Sequence, residues 1–245
     1  VKLTVLGSSS QGNCYLLEGS KETLIIELGV TFKSIKHSLN FDLSKVVGCL
    51  VTHEHKDHSK AISDVLAAGL KVYCSKGTAE GLEHHNLEVI KRMDTFKIGG
   101  FKIMAFDVEH DCAEPLGFLI EHEELGKMLF AADTYMIKYK FKDLNHIMIE
   151  CNYAADILAE NFKTGRVPFY LKKRITHSHF ELDNVKKCLE SNNSNELENV
   201  ILLHLSDSNS DEERFKREVS EVLFNSKNVH VADVNKIIEL KRIPF

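Results

Sequence analysis

The chain has 245 residues, 43% hydrophobic and 27% charged, with 13 Gly and 3 Pro, which excludes collagen-like and low-complexity chains and leaves enough apolar material for a sizeable core. Its formal net charge is −5, so no general cationic excess drives indiscriminate binding to nucleic acid or acidic membranes. No apolar run nears the roughly 18–20 residues of a bilayer span, and Val1–Gly7 reads as a strand, not a leader.

In chain order, Lys2–Leu6, Cys14–Glu18 and Thr23–Glu27 read as short strands between Gly/Ser/Asn turns. Val47–Thr52 is a continuous apolar run suited to a buried strand, and Ser59–Ala68 reads as a helix stopped at Gly69. Lys71–Cys74 is expected as a strand and Gly77–His85 as a helix. Phe101–Val108, Leu116–Glu121, Lys127–Ala132 and His146–Glu150 are expected as strands. Tyr153–Asn161 and Glu181–Ser191 read as helices, Val200–Leu203 as a strand, and Glu212–Phe224 as an amphipathic helix with Phe215, Val219, Val222 and Leu223 at helical spacing. Val229–Ala232 and Lys236–Leu240 are expected to finish the sheet. There is no internal repeat, linker or shift in composition, so one domain over residues 1–245 is expected. Strands in hairpin-like clusters followed by strand–helix alternation, twice over, fit two packed sheets with helices outside.

The six cysteines, Cys14, Cys49, Cys74, Cys112, Cys151 and Cys188, are dispersed without a Cys-x-x-Cys pair. They read as buried thiols of a cytoplasmic protein. The 13 histidines are the unusual count.

The decisive segment is Leu50-Val51-Thr52-His53-Glu54-His55-Lys56-Asp57-His58-Ser59. Alternate side chains of an extended segment share a face, so His53 and His55 point together as two imidazoles for one metal. A turn into the following helix carries Asp57 and His58 sideways, where a second ion has a nitrogen and an oxygen ligand. Two metals about 3.5–4 Å apart suit a reaction that needs an activated water and a stabilised leaving oxygen.

This segment resembles the His-x-His-x-Asp-His signature of the metallo-β-lactamase superfamily. The resemblance implies an α/β fold, a four-layer αββα sandwich in a single domain, with a dinuclear site at the sheet edges. It also implies ligands in a fixed order further on, matched by His110, Asp133 and His204, each after an apolar run. On that reading His53, His55 and His110 hold one metal, Asp57, His58 and His204 hold the other, and Asp133 bridges. A solvent hydroxide between the ions is the implied nucleophile, with Asp57 and Asp133 counted among the catalytic residues. Imidazole and carboxylate ligands suit two divalent transition-metal ions, zinc first, with manganese or iron also compatible. The superfamily commonly has Asp before Gly in an early turn; here Glu27 stands in Ile25-Ile26-Glu27-Leu28-Gly29, which touches the support of the histidine loop rather than the ligands.

Within the superfamily, the Ser-rich loop Gly7–Asn13, Ile149-Glu150-Cys151-Asn152-Tyr153, His177-Ser178-His179-Phe180 and His204-Leu205-Ser206-Asp207-Ser208-Asn209 resemble the YycJ (WalJ) group of single-domain hydrolases. That group is described as acting on DNA as 5′-to-3′ exonucleases. The resemblance implies substrate contacts from the Ser-rich loop, with Ser9 and Asn13 as candidates, and places His179 at the site border as a substrate contact or proton donor. Residues 134–142 interleave Lys138, Lys140 and Lys142 with Tyr135, Tyr139 and Phe141, and residues 161–180 carry Lys163, Arg166, Lys172, Lys173 and Arg174; neither stretch has an acid. Basic and aromatic residues together suit a single strand, which makes Tyr139, Lys172, Lys173 and Arg174 candidate nucleic-acid contacts; solvated loops are the alternative. The expected function is phosphodiester hydrolysis, with DNA or another phosphodiester as partner and no membrane. A thioesterase or lactonase on the same site, a cyclic-nucleotide phosphodiesterase, or a non-enzymatic relic are the rivals.

Overall fold

The computed structural model describes residues 1–223 and 228–241. In chain order the elements are β1 (Lys2–Ser9), β2 (Gly12–Glu18), β3 (Thr23–Ile26), α1 (Phe32–Ser38), β4 (Val46–Leu50), α2 (Lys56–Ser59), α3 (Ile62–Ala67), β5 (Val72–Cys74), α4 (Lys76–Leu82), β6 (Glu88–Val89), β7 (Thr95–Ile98), β8 (Phe101–Asp107), β9 (Leu116–His122) and β10 (Gly126–Ala131). They continue as β11 (His146–Glu150), α5 (Ala155–Lys163), α6 (Phe169–Ser178), α7 (Leu182–Asn192), β12 (Asn199–Leu203), α8 (Glu212–Glu221), β13 (Asn228–Val231) and β14 (Ile237–Glu239). Contacts divide the chain into two compact units. The first holds Val1–Asp107, Cys112–Lys127 and the segment from Ala232, and the second holds Val108–Asp111 and Met128–Val231.

In the first unit, β14, β1, β2 and β3 pair antiparallel, and β3, β4, β5 and β6 pair parallel. The Ser-rich segment, which the sequence allows as a donor-rich loop or a plain hairpin turn, is a tight hairpin: Ser9 pairs with Gly12 across Ser10 and Gln11. Thr31 caps α1 by accepting from the Ser34 amide at 3.2 Å. Ile62 and Val65 of α3 pack into a core with Leu16, Ile25, Cys49, Val51 and Val72, the apolar spacing expected of a helix seated on a sheet. The expected Ser59–Ala68 helix is two short helices, α2 and α3, because the chain turns at Lys60–Ala61. The strands β7, β8 and β9 form an antiparallel meander.

In the second unit, Met128–Ala131 of β10 pairs with β11, β11 with β12 and β12 with β13, all parallel. Every residue of β11 and β12 is buried, which accounts for their continuous apolar runs. The last two strands, expected in one sheet, separate: β13 pairs with β12 and β14 with β1. The stretch 161–180 is not a loop: it holds the end of α5 and the whole of α6, which is anchored by Ile175 and Leu171 against Tyr153, Leu158 and Val167. The amphipathic helix expected to reach Phe224 ends at Glu221; Phe224 lies outside the described residues. Among the described residues no helix is long and apolar enough to cross a membrane.

Burial pushes the thiols of Cys49 and Cys74 up to about 12, that of Cys188 to about 11, and those of Cys14 and Cys151 well above their ordinary range. At pH 8 a thiol near 12 is only about one part in ten thousand thiolate, the reactive form. We therefore expect Ellman's reagent to modify about one thiol rapidly in the native protein, the half-buried Cys112, and all six after unfolding. Three or more fast native thiols would show that these cores are not closed.

Candidate metal centre

The first unit sets the histidine loop at the C-terminal ends of two parallel strands. Ile26, the last residue of β3, pairs with Leu50, the last of β4. Glu27 and the Val51–His53 segment therefore leave the sheet side by side. Glu27, His53 and His58 are fully buried. The Thr52 hydroxyl donates to Glu27 Oε1 at 2.6 Å. Its oxygen stands 2.9 Å from His53 Nδ1 and so accepts the Nδ1–H, which leaves the Nε2 lone pair of His53 for a metal. His58 Nδ1 stands 3.3 Å from the same Glu27 oxygen, so one carboxylate faces His58 directly and reaches His53 through the Thr52 hydroxyl. Glu27, one carbon longer than the superfamily's usual Asp, reaches the loop with a left-handed backbone, φ 66°. His53 Nε2 and His55 Nδ1 approach to 3.1 Å, and Asp57 Oδ2 lies 3.5 Å from His58 Nε2.

Asn13 also holds this loop. Asn13 is fully buried, with its amide nitrogen 3.1 Å from His58 Nε2 and donating to the carbonyls of Ser9 and Asp57. Its side chain braces the loop. Ser9 is half-buried, and its hydroxyl accepts from the Gln11 amide. At Gly29 an added Cβ would fall 1.6 Å from the Asp57 carbonyl oxygen, so only glycine lets the two backbones pass.

The second unit uses the same device with three parallel strands. Ala131 pairs with Ile149, and Glu150 with Leu203, so Asp133, Glu150 and His204 emerge from adjacent strand ends. Asp133 and His204 take left-handed backbones, φ 44° and 53°, which turns their side chains out of the strand direction. Asp133 Oδ1 lies 3.0 Å from His204 Nδ1, and Oδ2 lies 3.8 Å from His110 Nε2. Its two oxygens thus face the two histidines that the superfamily resemblance assigns to different metals. His110 Nδ1 donates to the Ser178 carbonyl at 2.8 Å, which turns Nε2, the nitrogen that would ligate a metal, toward the carboxylates of Asp111 and Asp133. Burial pushes the His110 pKa below the usual imidazole range, and the neutral form is the one that ligates. Burial alone would also lower His204, but Asp133 and Glu150 outweigh it and raise that pKa to about 10.

Glu150 was not singled out as a site residue from sequence. It is fully buried, with Oε1 2.6 Å from His179 Nδ1 and 3.2 Å from His204 Nδ1, while Oε2 accepts from the amides of Thr134 at 2.7 Å and Phe180 at 3.2 Å. Burial raises the Glu150 pKa, but the His179 charge and hydrogen bond lower it further, and reciprocally Glu150 raises His179 against its burial. Donor atoms of Asp133, Glu150, His179 and His204 all lie within 4.8 Å of one another, a grouping that fits a cation. Glu150 already has four partners, so it orients the imidazoles, and the Asp133 and His204 donors are the pair suited to metal. Asn152 donates to the His204 carbonyl at 2.8 Å, which explains a second polar residue in the same sequence stretch. Arg174 donates to Asp111 at 3.2 Å, and Asp111 stands 3.2 Å from His110 Nε2. Tyr139, with Lys138 and Lys140, lines a groove of about 460 Å³ closed on its other side by Lys187 and Asn184 of α7. Lys172 lies over the Phe162 ring, 4.4 Å from its centroid, and Lys173 is exposed.

Residues 32–204 match the family model of the β-lactamase superfamily domain. The chain belongs to that family. Exodeoxyribonuclease YycJ of Bacillus anthracis is 29% identical over 238 residues, covering 90% of this chain and 88% of that protein. Exodeoxyribonuclease WalJ of Streptococcus pneumoniae is 26% identical over 230 residues, covering 85% and 82%. Among solved structures, the metallo-β-lactamase fold protein YhfI of Bacillus subtilis aligns with a TM-score of 0.72 at 15% identity, over 97% of this chain and 99% of that one. The fold is thus the metallo-β-lactamase α/β fold expected from the histidine motif. The chain is a metal-dependent hydrolase of this family, and the nitrogen and oxygen donors at its strand ends fit the divalent ions that the fold implies.

Proposed function

We propose that this hydrolase cleaves phosphodiesters in DNA, as a cytoplasmic 5′-to-3′ exonuclease of the YycJ type. The carrying observation is the likeness to an exodeoxyribonuclease along 90% of the chain. The reading takes residues 1–245 as one domain, since the family match starts in the first unit and ends in the second. His53, His55 and His110 would hold one ion, Asp57, His58 and His204 the other, with Asp133 shared. Zinc is the first candidate and manganese or iron the next. When bound, such ions supply an activated water and offset charge on the phosphoryl oxygens. The protein's own groups do the rest. Asp133 sets two ligand positions through one carboxylate. Glu27 and Glu150 hold the imidazoles in ligating tautomers. His179, tied at Nδ1 to Glu150, moves a proton at Nε2 to the leaving oxygen. Ser9, Tyr139, Lys172, Lys173 and Arg174 contact the strand, and Asn13 positions the histidine loop.

The test is a substrate panel on zinc- or manganese-loaded protein: bis(p-nitrophenyl) phosphate, end-labelled single-stranded DNA, a thioester and a β-lactam. We expect turnover of both phosphodiesters, removal of nucleotides from the 5′ end, and loss of activity with a chelator. Turnover of the thioester or lactam, with both phosphodiesters untouched, would replace this reading with that of a small-molecule hydrolase.

A further inference from the structure

The helix α6 carries a surface that the ligand set does not use. Its buried side is Leu171, Ile175 and Ser178, at helical spacing. An adjacent, exposed side presents Tyr170, Lys173, Arg174 and His177, spaced i, i+3, i+4 and i+7, so they form one stripe. Phe169 flanks it. Phe169 and Tyr170 are 69% and 75% exposed, unusual for rings this large, whose apolar area is normally withdrawn from water. The surrounding segment, residues 161–180, has five cations and no acid in a chain whose net charge is −5. Arg174 uses its Nε on Asp111, one of five guanidinium donors. His177 Nδ1 turns back to the Lys173 carbonyl at 2.8 Å, which leaves Nε2 outward. The stripe has a direction: at about 1.5 Å per residue it covers roughly 10 Å from Tyr170 to His177. It ends beside Ser178, which holds His110, and His179, which is held by Glu150.

We propose that this stripe is a track for single-stranded nucleic acid, with Phe169 and Tyr170 as a stacking platform a few nucleotides from the scissile bond. The inference rests on the phosphodiesterase reading for its substrate class and adds a length requirement. Aromatic rings with interleaved cations bind a strand by stacking and phosphate attraction, without reading sequence. About 10 Å of track corresponds to roughly three stacked nucleotides. A dinucleotide therefore engages the metal-binding residues alone, and a longer strand gains the platform.

The experiment compares the wild-type protein with the Phe169→Ser/Tyr170→Ser variant. Hydrolysis of oligo(dT) from two to twelve nucleotides is measured on manganese-loaded protein, and binding of fluorescein-labelled oligo(dT) twelve-mer is followed by anisotropy without added metal. For the wild type, KM should fall as the strand lengthens to about four or five nucleotides and then level off. In the variant this length dependence should flatten. KM and Kd for the twelve-mer should rise at least about 5-fold, as expected for loss of one to two stacked bases. A variant with wild-type length dependence and twelve-mer affinity overturns the track, while the phosphodiesterase reading stands. Twelve-mer binding that depends on the two rings, in a protein that hydrolyses no phosphodiester, supports the track and overturns the phosphodiesterase reading. Ring-dependent binding to vesicles of phosphatidylglycerol, with none to oligo(dT), makes the stripe a membrane contact and also overturns the track.

Discussion

If two ions bind as proposed, replacing Asp133 with asparagine is expected to bring metal content from two per chain to well below one, and to lower hydrolysis by roughly a thousandfold. Asp133 turns Oδ1 to His204 and Oδ2 to His110, so its loss weakens two ligand positions at once. A fall of several kcal/mol in charge stabilisation, at about 1.4 kcal/mol per tenfold in rate, gives that magnitude. Asparagine is the cleaner substitution than alanine. At φ 44° the backbone is left-handed, a conformation that Asp and Asn tolerate and that costs other residues about 1–2 kcal/mol. Elemental analysis after reconstitution and desalting reads the stoichiometry, and circular dichroism checks the fold. Two ions retained in a folded Asp133→Asn protein would remove this residue from the bridging position.

The second large effect is expected at Glu150. In Glu150→Gln the side-chain amide oxygen still accepts from the Thr134 and Phe180 amides, but an NH2 group then faces the Nδ1 atoms of His179 and His204. Both rings are driven toward the other tautomer, with the proton on Nε2: His204 loses its Nε2 lone pair, and His179 loses the carboxylate that favours its protonated, proton-donating form. Loss of such an orienting partner costs about 10- to 100-fold in metal affinity or activity, to be read by chelator competition and by turnover of bis(p-nitrophenyl) phosphate. Glu150→Ala strands four buried partners and should lower stability by about 3–5 kcal/mol, visible as a lower urea midpoint. Wild-type metal affinity and activity in Glu150→Gln would show that the imidazoles are oriented by something else.

The family and fold were legible because the histidine loop has strict spacing and directly follows an apolar run, and because Asp133 and His204 also follow such runs. Residues beyond the ends of buried parallel strands are where a sheet offers side chains to a ligand. The same signal is present at Glu150, a lone acid closing Ile147-Met148-Ile149, but the superfamily's ligand pattern has no place for it. Helix α6 was hidden for a different reason. Its cationic run and exposed rings mask a buried side of only Leu171, Ile175 and Ser178, too sparse to show helical periodicity. The same holds for α1, which buries Ile35 alone. That β13 and β14 fall in separate sheets is set by pairing partners far away in sequence, which local patterning does not carry.

The way Glu27, Thr52 and Glu150 hold the imidazoles has a practical consequence for anyone preparing this protein. Carboxylates and a hydroxyl of the fold itself position these donors, so loading and stripping are expected to be reversible without unfolding. With nitrogen and oxygen donors and no thiolate, the site has little chemical means of rejecting one first-row divalent ion in favour of another beyond their general affinity order. The ion recovered with the purified chain will then follow the culture medium and the affinity resin, and cells grown in manganese-, iron- or zinc-supplemented medium should yield three differently loaded preparations of the same folded protein.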